Sequence, residues 1–269
     1  MSLIKHEILQ PVRHFNMHDD PLTNIETLHL ILWDKGLCIA GYDLNGTVLT
    51  AKVYHYTTWN IASIESVFVN EHLVAGPQPV THIWIADERT MVIPRHLYEQ
   101  KAAGEWLHRF HFIEANEEIR TTEVKQSLAA FISYPVQEKL ALLCRKYFAE
   151  GRIDTLSGMI LCQDFSKEKD YADLIFLCEK AILTVYKQGN LQLHQVVDAA
   201  HTNDLLYRMA ILCEELELPK EELIVSVSGL CIAEEVPGEL KGLFPKTVVP
   251  GSEQFSSFTL LSKLITCAS

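Results

Sequence analysis

The chain has 269 residues, 48% of them hydrophobic and 22% charged, with 35 Asp and Glu against 23 Lys and Arg for a formal net charge of −12. This is enough apolar material for one large domain or two of ordinary size, and too much for a disordered chain. The acidic balance opposes non-specific binding to nucleic acid or anionic membranes, and no run of Lys and Arg offsets it.

Seven cysteines are scattered with no CxxC, which leaves a zinc ribbon or redox motif without support. Cys38, Cys178 and Cys213 fall inside apolar runs, where a reduced thiol behaves as a small hydrophobe. Lys5, His6, Glu7, Arg13 and Asp19-Asp20 interrupt any secretory pattern at the start, and no apolar run reaches membrane-spanning length. The expectation is a cytoplasmic protein with no membrane insertion.

Residues 1–25, with two prolines and little periodicity, read as an N-terminal arm or a strand that pairs late. The apolar run from Leu30-Ile31-Leu32-Trp33 through Leu37 to Tyr42, the turn at Asn45-Gly46 and the return through Val48-Leu49 and Val53-Tyr54 read as a hairpin. Thr57 or Thr58 is positioned to cap a helix carrying Ile61, Ile64, Val67 and Phe68. After Gly76-Pro77 and Pro79, His82 to Asp87 has a buried-strand pattern, Met91-Val92-Ile93 adds a short strand, and Pro94 opens a helical region reaching Phe110.

The middle is less regular. Glu123 to Tyr134 reads as a strand pair or one long strand, Pro135 to Phe148 as a helix, and Met159 to Cys162 as a buried segment. The polar stretch Gln163 to Asp173 then marks a boundary.

Beyond it the first pattern returns. Leu174-Ile175-Phe176-Leu177 opens a run through Ile182 to Tyr186, a turn at Gly189-Asn190, and a return through Leu191, Leu193 and Val196-Val197. Leu30 to Leu174 and Tyr42 to Tyr186 are both 144 positions apart. Thr202 or Asn203 is placed to cap a helix striped by Leu205, Met209, Leu212, Cys213 and Leu216, and Pro219 ends it. Leu223 to Gly229 is the matching strand, and Glu235 to Phe244 a shorter helix. This repetition predicts an α/β protein of two like-folded halves with a cleft between them, spanning 26–165 and 166–269 after the arm.

A duplicated hairpin, helix, strand and helix of this size resembles the actin-like, ribonuclease-H-like architecture. The stretches Leu30 to Tyr54, Thr90 to Pro94, Thr202 to Tyr207 and Leu218 to Gly229 are similar to a bacterial family of unknown function with an actin-like ATPase fold. The resemblance implies where nucleotide would bind: two Asp-x-Gly turns, one after the first strand of each half, hold phosphate and magnesium. The glycine admits backbone amides to the phosphate and the carboxylate organises the ion. Asp34-Lys35-Gly36 stands at the first position, but Cys178-Glu179-Lys180 stands at the second, and of the glycine pair that abuts adenosine only Ser228-Gly229 remains. There is no GxxxxGK[ST]. Asp34 and Gly36 are therefore the candidate cofactor-binding residues if ATP with magnesium is bound. The competing reading of the same tripeptide is a polar hairpin turn.

Other chemistry is weaker. His14 and His18 with Asp19-Asp20, and Glu105, His108 and His111, have helical ligand spacing, but the first lies in the arm and the second on a segment crowded by Trp106, Leu107, Phe110 and Phe112. Ser226-Val227-Ser228-Gly229 is not a nucleophile elbow, and Cys231 reads as a structural thiol. Trp84, Trp106 and Phe110 read as core or cleft lining without the interleaved basic residues of a nucleic-acid platform. The expectation is a non-catalytic component without a cofactor that acts on an unknown protein partner through its cleft or an edge strand. The alternative is a nucleotide-binding ATPase or kinase-like enzyme.

Overall fold

The computed structural model describes residues 10–17, 24–56, 60–75, 80–124, 129–163, 169–249 and 258–264. The chain divides into two compact units, Met1–Glu123 with Ala130–Gly158, and Val124–Ala129 with Met159–Ser269.

The first unit opens with β1 (Arg13–Asn16), β2 (Thr27–Trp33), β3 (Gly36–Tyr42), β4 (Val48–His55), α1 (Ile61–Asn70), α2 (His72–Ala75) and β5 (Val80–Ala86). It continues through β6 (Met91–Pro94), a 3-10 turn at Arg95–Leu97, α3 (Ala103–Phe110), β7 (Glu117–Val124), β8 (Ala130–Gln137), α4 (Glu138–Tyr147) and β9 (Arg152–Thr155). The chain leaves this unit within α5 (Leu156–Leu161). Six strands form a sheet ordered β1-β4-β3-β2-β5-β9, and three more form β6-β8-β7.

Local chemistry accounts for these elements. Every residue of β3 is buried, so the strand reads as a continuous apolar run rather than an alternating one. At its end Asp43 Oδ1 accepts the amides of Asn45 (2.9 Å) and Thr47 (2.7 Å), and Gly46 takes φ +78° to bring β4 back. The helix expected behind a threonine cap starts instead at Asn60, whose side chain accepts the Ala62 amide at 2.9 Å. Thr57 and Thr58 lie outside the described residues. Part of the expected arm is a strand: β1 pairs antiparallel with β4, Arg13 opposite Val53 and Asn16 opposite Thr50.

The second unit contains β10 (Tyr171–Leu177), β11 (Lys180–Lys187), β12 (Asn190–Asp198), α6 (Thr202–Glu215), β13 (Ile224–Leu230), α7 (Val236–Leu243), β14 (Thr247–Val248) and α8 (Thr259–Leu264). Its sheet is ordered β12-β11-β10-β13-β14. The turn falls one residue earlier than the sequence suggests. Gln188 (φ +50°) and Gly189 (φ +76°) make it, and Asn190 already faces Lys187 in the ladder. Leu205, Met209 and Cys213 of α6 join Leu240 and Phe244 in a core against Leu174, Leu183 and Val227 of the sheet.

The repetition persists in the register. Thr27 faces Tyr42 and Val80, while Tyr171 faces Tyr186 and Ile224, each 144 positions on. The antiparallel ladder slips between Gly41 and Tyr42 in one unit and between Val185 and Tyr186 in the other, again 144 apart. Both sheets thus run as a three-stranded antiparallel meander continued by parallel strands. The β6-β8-β7 sheet and α3 are additions to the first unit, whereas α4 packs on α1 ahead of β9 as α7 packs on α6 ahead of β14.

Candidate functional site

In the first unit Asp34 and Lys35 make the two-residue turn between β2 and β3, and Gly36 faces Trp33 across it. Asp34 is exposed and Gly36 buried. A Cβ on Gly36 would lie 2.2 Å from Cζ2 of Trp33 and 2.8 Å from the Tyr54 carbonyl oxygen. The indole occupies the space a side chain would need, so packing alone demands glycine here. One strand away, Asp87 follows β5. Its carboxylate takes Arg89 at 3.0 Å (Nε) and 2.7 Å (Nη2), and the same guanidinium reaches both oxygens of Glu117 at 2.7 and 2.8 Å. Those hydrogen bonds raise the Arg89 pKa further and hold Glu117 below its usual range against its partial burial. Sequence reasoning missed this cluster, because Glu117 is distant from Asp87 and Arg89 along the chain.

In the second unit the corresponding turn is Cys178-Glu179, with Cys178 at φ +57°. Lys180 takes the place of Gly36. It is buried, and its ammonium lies 2.8 Å from Oδ1 of Asp198, its neighbour in the ladder. Gly229 also has a packing reason to be glycine. At φ +154° its Cβ would sit 2.4 Å from the Phe176 carbonyl oxygen, and its amide donates to Thr259 Oγ1 at 2.9 Å. Cys231 follows at φ +57°, half-buried.

The histidine groups are not assembled. His14 is exposed on β1, and His18 lies outside the described residues. Glu105 and His108 are exposed on α3, whereas His111 is already extended, because the helix stops at Phe110. Among the described residues no three His, Cys, Asp or Glu side chains are grouped to hold a metal ion. The aromatic group separates too. Trp84 is buried and donates to His29 Nδ1 at 3.0 Å, while Trp106 and Phe110 are exposed on α3.

A concave surface stands out on the second unit. A groove of about 690 Å³ runs between β12 and α6. Leu193, Ile211 and Leu212 give it an apolar floor, Tyr207 stands 70% exposed beside it, and Asp198, Asp204, Arg208 and Glu215 line its rim. The first unit closes the same place. Lys52 of β4 reaches both oxygens of Glu71 at 2.9 and 3.1 Å just past α1, and the Tyr54 hydroxyl donates to the same carboxylate. Glu71 is thereby buried at 4% exposure.

Among the described residues no helix is long and apolar enough to cross a membrane. No curated protein matches the sequence. Among solved structures, a Bacteroides thetaiotaomicron protein of unknown function with an actin-like ATPase fold aligns with a TM-score of 0.76 at 18% identity, covering 94% of this chain and all of that one. The PilM-PilN type IV pilus biogenesis complex aligns with a TM-score of 0.54 at 11% identity, over 90% of this chain and 97% of that one. The fold is therefore that of the actin-like ATPases, mixed α/β with two ribonuclease-H-like subdomains. The profile of a family described only as protein of unknown function, DUF3822, matches residues 27–236, and the chain belongs to that family.

Proposed function

We propose that this chain is a non-catalytic protein-interaction or assembly component built on the actin-like ATPase fold. One observation carries the reading: where a second phosphate turn would need an aspartate and a bare glycine, the chain has Cys178 and a buried Lys180 engaged by Asp198. Phosphoryl transfer depends on carboxylates that hold magnesium and on glycine backbone that lets amides approach phosphate, and this turn has no carboxylate at its first position and a lysine in place of the glycine. Gly36, the surviving glycine of the first turn, is accounted for by the Trp33 indole. A similarly folded chain is part of a pilus biogenesis complex, so assembly work is open to this architecture.

The second reading, a nucleotide-binding ATPase using magnesium, is favoured by the exposed carboxylate of Asp34 in the first turn. Titration calorimetry with magnesium and a non-hydrolysable ATP analogue separates the two. The non-catalytic reading predicts no heat of binding and no rise in melting temperature at millimolar analogue. A micromolar site would stabilise the protein by about 4 kcal/mol at a thousandfold excess over Kd. Binding that vanishes in Asp34→Ala would establish the second reading instead.

A further inference from the structure

We propose that the edge of β12 and its groove with α6 receive an extended segment of a partner protein, added antiparallel to β12 and carrying a lysine or arginine that reaches Glu215. The proposal deepens the reading above by naming the surface and the chemistry of what it binds.

The first unit shows the complemented form of this edge. There β4, the counterpart of β12, is covered by β1, with the Val12 amide donating to the Val53 carbonyl and the Met17 amide to that of Leu49, both at 2.8 Å. In the second unit β12 ends its sheet, and no described strand lies beyond it. Its outward amides and carbonyls are a template for one more strand.

The helix side tells the same story in charge. Lys52 of β4 faces Ile39, and Gln195 of β12 faces Leu183, 144 positions from Ile39. Glutamine thus stands where the first unit has the lysine that neutralises its carboxylate. Glu71 is the buried C-cap of α1, while the C-cap of α6 is Leu216, and Glu215 just before it is an exposed carboxylate on the rim of the groove. A cation from outside would meet on this rim a carboxylate that β12, with Gln195 facing Leu183, does not neutralise. Residues 159–269 contain sixteen Asp and Glu against nine Lys and Arg, which draws basic segments at long range. Leu193, Ile211 and Leu212 offer the intervening apolar side chains a floor, and Tyr207 an aromatic anchor.

The test selects a displayed library of randomised peptides on the full chain, then measures the enriched sequences as synthetic peptides by fluorescence polarisation. Two variants address the two halves of the proposal. Val196→Pro deletes an amide that faces away from β11, since the Ala199 amide three residues on faces Glu179, and an edge strand tolerates proline there. Glu215→Lys reverses the rim charge on an exposed helix face and keeps the test open should Val196→Pro fail to fold. Enriched peptides should alternate basic and apolar residues, bind at micromolar Kd, and weaken at least tenfold on each folded variant. No enrichment, or peptides that bind both variants as they bind the parent chain, would overturn the proposal. So would concentration-dependent dimerisation abolished by Val196→Pro, which would give the edge to a second copy. None of these outcomes touches the non-catalytic reading, which magnesium-nucleotide binding alone decides.

Discussion

Lys180 and Asp198 form an ion pair at the hairpin position that Gly36 and His55 hold in the first unit. The pair is lopsided, since the Lys180 side chain is 9% exposed and that of Asp198 80%. With one partner in water its net contribution is at most about 1 kcal/mol. Lys180→Met, which keeps the apolar stem, is expected to change unfolding free energy by no more than that in urea titrations.

Gly36→Ala is a sharper perturbation. The added carbon would clash with both the Trp33 ring and the Tyr54 backbone, so either the strand or the indole must shift. A loss of about 1–3 kcal/mol is expected, typical of overpacking in a filled core. Adding Trp33→Leu should recover part of it, because the two changes share one contact. Denaturant unfolding of the four chains checks this. A phosphate-binding role for Gly36 would instead appear as a stability change only with nucleotide present.

One buried histidine, His29, and one half-buried, His194, predict acid sensitivity. Burial, with a smaller contribution from His82, lowers His29 to about 3, and burial lowers His194 to about 4, from an ordinary 6.5. Both are neutral when folded and take up a proton on unfolding below pH 6.5. Their contribution is intact above that pH, declines as pH falls from 6.5, and is lost by the folded values of about 4 and 3. His194 accordingly bonds Thr184 Oγ1 at 2.9 Å through Nδ1, while its buried Nε2 has no partner among the described residues. Stability measured from pH 7 to pH 4 should fall with a slope that His29→Gln or His194→Gln reduces.

Asp173 has no solvent exposure, and its two oxygens accept Lys263 at 2.7 and 3.0 Å. Lys263→Met strands a buried carboxylate and is expected to cost about 3–5 kcal/mol. Asp173→Asn in the same chain should restore part of the loss. Thermal unfolding of single and double variants decides it, and equal loss in both would mean that α8 packing, not charge, is at stake.

The hairpins are legible in the sequence because both faces of their strands are buried, which writes Leu30 to Tyr42 and Leu174 to Tyr186 as long apolar runs. The helix Thr202–Glu215 is legible from its Leu205, Met209 and Cys213 stripe. Short strands carry no such signal. Arg13–Asn16 and Arg152–Thr155 are polar or half-exposed, and a four-residue strand has too few alternations to show a period. Pro135 and Val136 read as helical but belong to the end of β8, which runs to Gln137, and α4 begins only at Glu138. The groove is legible only in comparison. That Gln195 replaces Lys52 means nothing until the register shows that both occupy one place.

The pairing of Arg13 to Asn16 with β4 also bears on how the protein is handled. Shortened chains that begin near Thr27 would keep both hairpins yet strip the outermost ribbon from the larger sheet. Such chains should clump through bare edges as their concentration rises, and an oligomer seen with them would be an artefact of trimming.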